Sequence, residues 1–60
     1  MKEYDFEIES LEQLDEFQYF HHPKGLCMVL SVICEFDSYE CESECGEVFY
    51  LQIGDKISLN

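Results

Sequence analysis

Arginine and tryptophan are missing from the sequence altogether, and three lysines are its only strongly basic side chains. So few cations exclude direct binding to nucleic acid, whose phosphates have to be neutralised by Lys or Arg. They disfavour an anionic membrane surface for the same reason. No apolar run approaches the ~20 residues of a membrane span. The opening stretch, Met1-Lys2-Glu3-Tyr4-Asp5-Phe6-Glu7, also lacks the apolar region of a secretory signal. Without a signal, the four cysteines read as reduced thiols in a cytoplasm, the host cytoplasm if the chain is phage-encoded. A glycine-rich phosphate loop, a nucleophile elbow and a carboxylate pair set apart by its surroundings are all absent. Sixty residues leave no room for a closed pocket, so an enzyme is not expected, and no cofactor is implied.

What is present is acid and apolar bulk. Fourteen Asp and Glu give a formal net charge of −11, yet 47% of the residues are hydrophobic, including five Phe and four Tyr. That apolar content is ample for a core and argues against disorder. The length allows a single domain, residues 1–60, burying only about 60% of the surface its unfolded chain exposes. Disulfides, a metal or oligomerisation commonly support a scaffold of this size. The charge exceeds the roughly 2 to 8 that keeps a small domain soluble, and self-repulsion works against compactness.

Along the chain, residues 3–9 alternate, with Tyr4, Phe6 and Ile8 on one face and Glu3, Asp5, Glu7 and Glu9 on the other, the period of a half-buried strand. Ser10 and Gln13 form a capping-box pattern that predicts a helix. Leu11, Leu14 and Phe17 lie on its apolar face, and Glu12, Asp15 and Glu16 on an unrelieved acidic one. His21-His22-Pro23-Lys24-Gly25 is expected to end it, the histidines capping its C-terminus. Residues 26–36 read as a strand apolar on both faces. Residues 37–47 read as an acidic connection and 47–53 as a third strand. A two-residue turn at Gly54-Asp55, with glycine first, then leads to a last strand at 56–59. The expected fold is therefore α+β, in the order β-α-β-β-β. One helix packs on a three- to four-stranded mixed sheet whose first two strands are parallel, and the last three strands form an antiparallel meander. One helix covers one sheet face, so a homodimer is expected to bury the other.

The cysteines invite a metal reading, but only Cys41 and Cys45 form a close pair, and zinc sites favour two such pairs. Cys27 and Cys34 are an odd number apart, hence on opposite faces of a regular strand, and read best as small hydrophobes. The acids after Asp37 lack the Asp-x-Asp-x-Asp-Gly progression of a calcium loop.

Function then rests on charge. The acids expected to contact a partner are Glu3, Asp5 and Glu7 on the first strand, Glu12, Asp15 and Glu16 on the helix, and Asp37, Glu40, Glu42, Glu44 and Glu47 in the connection. Outward carboxylates two residues apart on a strand repeat every ~6.8 Å, a spacing comparable to that of phosphates along a nucleic acid. The expectation is an acidic inhibitor, a DNA mimic that occludes the basic surface of a nucleic-acid-binding protein or nuclease complex. Phage anti-defence proteins (anti-CRISPR, anti-restriction or DNA-repair-enzyme inhibitors) are the class this describes. The alternatives are a small antitoxin or immunity protein, or a dimeric or zinc-binding structural or regulatory module that uses Cys41 and Cys45.

Overall fold

The computed structural model describes residues 3–59. Their apolar residues alternate with polar ones in short stretches, and most of them form strands. These are β1 (Phe6–Glu7), β2 (Tyr19–His22), β3 (Gly25–Ile33), β4 (Ser38–Ser43), β5 (Val48–Gln52) and β6 (Lys56–Ile57). Strands β2-β3-β4-β5 make one sheet in that order, and β1 pairs with β6 in a second. All pairings are antiparallel. An isolated bridge between His21 and Ser58 joins the two sheets, with hydrogen bonds from His21 N–H to the Ser58 carbonyl (2.7 Å) and from Ser58 N–H back to His21 (2.9 Å).

The expected α+β fold with a mixed sheet is thus replaced by a nearly all-β one. No helix forms over residues 10–22, and the only helical piece among the described residues is a 3-10 turn, Cys34–Phe36. The capping residues do engage, but only locally. Gln13 Oε1 accepts from the N–H groups of Glu9 (2.6 Å) and Ser10 (3.2 Å), and Ser10 Oγ accepts from Glu12 (3.3 Å). Propagation then meets a stack of carboxylates with no lysine to relieve it, while the sheet captures the next backbone groups. Phe17 N–H donates to the Val29 carbonyl (2.7 Å) and Val29 N–H to Gln18 (2.9 Å). Phe17 itself takes a positive φ of 66°, a conformation no helix interior allows. The histidines belong to β2 and not to a helix end. Its tip is Pro23-Lys24, where proline presets the turn and Gly25, at φ 106°, returns the chain into β3.

Two further expectations are corrected. Residues 38–43 are not a connection but the inner strand β4, with Tyr39 and Cys41 facing in. The last strand leaves the meander to pair with β1, through a turn that places Ile53 and Gly54 at its centre. Asp55 N–H closes on the Gln52 carbonyl at 3.0 Å, and Gly54, at φ 100°, is the second central residue.

The two-sided apolar character expected of residues 26–36 is resolved by a bulge. Val29 pairs with Cys41, but Ser31 pairs with Glu40, so Leu30 is an extra residue on β3. A bulge of this kind reverses side-chain parity beyond it. Cys27 and Val29 before it and Val32 after it therefore share the inner face, while Leu26, Met28, Ser31 and Ile33 lie on the outer one.

The core lies on the inner side of the sheet. Ile8, Phe20, Val29, Tyr39, Leu51 and Ile57 are fully enclosed, with Cys27, Cys41 and Leu14 among them. The 9–18 segment covers them where the helix was expected. The Tyr39 hydroxyl donates to the Ser10 carbonyl at 3.0 Å, and Leu14 N–H donates to that hydroxyl at 3.2 Å. At ~0.05–0.15 kcal/mol per residue, total stability is about 3–9 kcal/mol. Truncating one enclosed Leu to Ala costs about 2–5 kcal/mol, comparable to the whole.

Candidate functional site

The inner face of the four-stranded sheet is used up by the core, and the outer face is open. Cross-strand register sets its rows. Tyr19, Met28, Glu42 and Val48 form one, Ser31, Glu40 and Tyr50 the next, and Ile33, Ser38 and Gln52 the third. Alternation along β4 puts Glu40 and Glu42 on this side, about 6.8 Å apart by strand rise, and Glu44 continues the line into the turn. Each is held. Ser31 Oγ donates to Glu40 at 3.0 Å, which fixes that carboxylate against the sheet. Glu44 is tied to the start of β3, its own N–H donating to the Leu26 carbonyl at 2.9 Å and its Oε2 accepting from Leu26 N–H at 3.4 Å.

Around these acids the face is aromatic and apolar. Tyr19 is 62% exposed, Tyr50 56% and Val48 48%. Leu26 is also exposed and Met28 half-buried. Two concavities open here, one of about 500 Å³ lined by Ile33, Phe36, Ser38, Tyr50 and Gln52, the other of about 260 Å³ beside Tyr19, Leu26, Met28, Glu42 and Glu44. Isolated exposed apolar side chains need no explanation, but several sharing one face mark an interaction surface.

Of the eleven acids singled out from the sequence, the structure brings together Glu40, Glu42 and Glu44. Glu3 and Asp5 precede β1, Glu7 lies on β1, and Glu12, Asp15 and Glu16 are exposed in the 9–18 segment. Asp37 ends the 3-10 turn in a left-handed conformation, φ 50°. Among the described residues two of the eleven have lysine neighbours. Glu7 stands opposite Lys56 in register, and Glu47 forms a 2.8 Å ion pair with Lys24. Lys24 also lies over the Phe49 ring, 5.7 Å from its centroid. Sequence reasoning missed the aromatic partners of the acidic line. The alternation of Val48, Tyr50 and Gln52 was the signal that they share a face.

The titratable groups at the sheet end and in the core serve packing. His22 stacks on Phe49, ring centroids 4.8 Å apart, and its Nδ1 accepts from Lys24 N–H at 3.2 Å. Burial, then the nearby Lys24 charge, pushes its pKa below the ordinary histidine value. Burial raises the Cys27 thiol pKa and pushes that of Cys41 up to about 12. Cys41 faces the core while Cys45 is exposed in the following turn, so the close pair in sequence does not converge. Among the described residues no group of three or more His, Cys, Asp or Glu is placed to hold a metal ion, and no helix is long and apolar enough to cross a membrane.

Neither a family model, nor a curated protein, nor a solved structure matches this chain.

Proposed function

We propose that the protein is an acidic inhibitor that lays the outer face of its four-stranded sheet on the basic, nucleic-acid-binding surface of another protein. The observation that carries this reading is the line of Glu40, Glu42 and Glu44 among the exposed Tyr19, Val48 and Tyr50. Neither described lysine relieves that line. Lys24 is committed to Glu47 and Phe49, and Lys56 sits in the other sheet.

The chemistry follows from the pairing of acid and ring. An arginine or lysine bound here lays its stem or guanidinium on a tyrosine face while its charged head meets a carboxylate. A net charge of −11 steers a basic partner into contact quickly, and the association weakens as salt is added. Carboxylates at phosphate-like intervals then compete with DNA or RNA for the same Lys and Arg side chains. The phage anti-defence class, acting in the host cytoplasm on a nuclease complex, fits this behaviour. An antitoxin covering a basic toxin surface would use the same face and differ only in partner.

The test is capture. The immobilised protein is expected to retain nucleic-acid-binding proteins from a lysate at low salt and to release them to duplex DNA. Reversing Glu40, Glu42 and Glu44 together to Lys should abolish retention, and Lys24→Ala should leave it intact. Retention of no nucleic-acid-binding protein, or equal losses in the two variants, defeats the reading.

A further inference from the structure

The bond pattern of β5 leaves backbone groups open beside the acidic face. In an antiparallel pair, alternate residue pairs exchange backbone hydrogen bonds. Ser43 N–H donates to the Glu47 carbonyl at 2.9 Å, which makes 43/47 a bonded pair. Cys41/Phe49 and Tyr39/Leu51, in step with it, are bonded as well. The N–H and C=O groups of Val48, Tyr50 and Gln52 therefore point away from β4. Gln52 is closed off by Asp55, whose carboxylate accepts from Gln52 N–H at 2.9 Å and whose N–H donates to the Gln52 carbonyl at 3.0 Å. Val48 and Tyr50 have no such cover among the described residues, and β5 is the terminal strand of its sheet.

Proteins usually protect an open edge with lysine, proline, a bulge or a covering loop. The sequence of β5, Val-Phe-Tyr-Leu-Gln, has neither charge nor proline, and its register with β4 is regular. A second copy of this chain is opposed as the occupant by −11 on each molecule. An extended segment rich in Lys or Arg has the complementary charge. Tyr50 stands opposite Glu40 and Val48 opposite Glu42. A strand added beside β5 would place its outward side chains next to Tyr50 and Val48, with the carboxylates one strand further in. A long basic side chain crossing Tyr50 or Val48 reaches them.

We propose that the protein recognises an extended Lys- or Arg-bearing segment of its partner by adding it as a strand to the free edge of β5. The backbones of Val48 and Tyr50 pair with it, and Glu40 and Glu42 select its basic side chains. This deepens the inhibitor reading and rests on it for the basic character of the partner. It adds a mode of recognition in which main-chain bonds supply affinity and alternate side chains supply specificity.

The probe is a short synthetic peptide of alternating lysine and threonine, titrated into the whole chain at low salt and compared with the same peptide N-methylated on alternate amides. The parent peptide is expected to bind and to slow hydrogen exchange at the Val48 and Tyr50 amides. The methylated peptide should bind at least about tenfold more weakly, the value of two or more backbone hydrogen bonds of ordinary net strength. Val48→Pro should weaken the parent peptide similarly, since proline is tolerated at the first residue of a strand whose N–H faces solvent. No binding, or equal binding of the two peptides, overturns strand addition. If lysate capture still holds, the inhibitor reading survives that result. Slow exchange at both amides without peptide, in a sample that sediments as a dimer, would assign the edge to a second copy and also overturn the proposal. Strand addition by the peptide together with failed lysate capture would keep the edge site and remove the nucleic-acid-mimic reading.

Discussion

The Tyr39 hydroxyl accepts a hydrogen bond from the Leu14 N–H at 3.2 Å while donating one to the Ser10 carbonyl at 3.0 Å. One side chain of the inner strand β4 thereby holds the start and the middle of the irregular segment that closes the core, while Val29 holds its far end. Tyr39→Phe keeps the ring and removes both bonds, leaving the buried Leu14 N–H without a partner. The expected cost is about 1–3 kcal/mol, a large share of a total near 3–9 kcal/mol. Denaturant unfolding should show a lower midpoint, and exchange at the Leu14 amide should accelerate more than at Val29.

The same relationship shows what could be read from the chain in advance. The third strand, expected at 47–53 and found at Val48–Gln52, and the apolar stretch from 26 onward are legible as strands, because period-two alternation and apolar runs report directly on burial. The 9–18 segment is not. Leu11, Leu14 and Phe17 have helical spacing and Ser10 and Gln13 a true capping signature, but what decides the outcome is Tyr39 and Val29, far away in sequence. Leu14 is buried as expected, while Phe17 is exposed at a positive φ. The Leu30 bulge is equally silent, since one inserted residue changes parity without changing composition. Strand β4 was hidden for another reason. Its inward residues include Cys41 and Ser43, and its outward ones are Ser38 and two acids, so an alternating strand resembles an acidic loop. The acids of the candidate face were legible as residues but not as a group, because grouping depends on which of them share a sheet.

Thiol reactivity separates the cysteines by where the fold puts them. Cys34 and Cys45 are exposed, Cys27 and Cys41 buried. With its pKa at about 12, Cys41 carries almost no thiolate at neutral pH. A chromogenic thiol reagent at pH 8 is expected to titrate Cys34 and Cys45 rapidly and Cys27 and Cys41 only as the protein opens. Mass mapping of the labelled peptides assigns them. Fast labelling at Cys41 would contradict the placement of β4.

His22 makes stability depend on pH in a window of its own. Burial against Phe49 and the charge of Lys24 lower its pKa in the folded chain below the ordinary 6.5. The unfolded chain therefore binds the proton more tightly. Its contribution is complete above about pH 6.5, declines as pH falls toward the depressed folded value, and is constant below it. The midpoint of thermal unfolding should fall between pH 7 and 5 in the wild-type protein, and His22→Phe, which retains a ring against Phe49, should flatten that decline. An unchanged slope would place the responsible group elsewhere.

The sharpest separation of function from stability lies at Glu42. Its carboxylate occupies the outer face of β4 between Met28 and Val48 in register, half-buried among apolar neighbours and on a chain of net charge −11. Among the described residues none of the hydrogen bonds that hold the sheet depends on its side chain. Glu42→Thr removes one negative charge and supplies a β-branched residue suited to a strand. A gain of about 0.2–1 kcal/mol is expected from the improved cross-strand contacts, which raises Tm by roughly 1–8 °C in a domain of this size. The same change should weaken binding to a basic partner and reduce the salt dependence of its association. A residue that lowers stability while raising affinity is the signature of a binding surface. Differential scanning calorimetry and binding measured at two salt concentrations test both halves. Loss of stability in Glu42→Thr would make that carboxylate a structural element and take it out of the contact face.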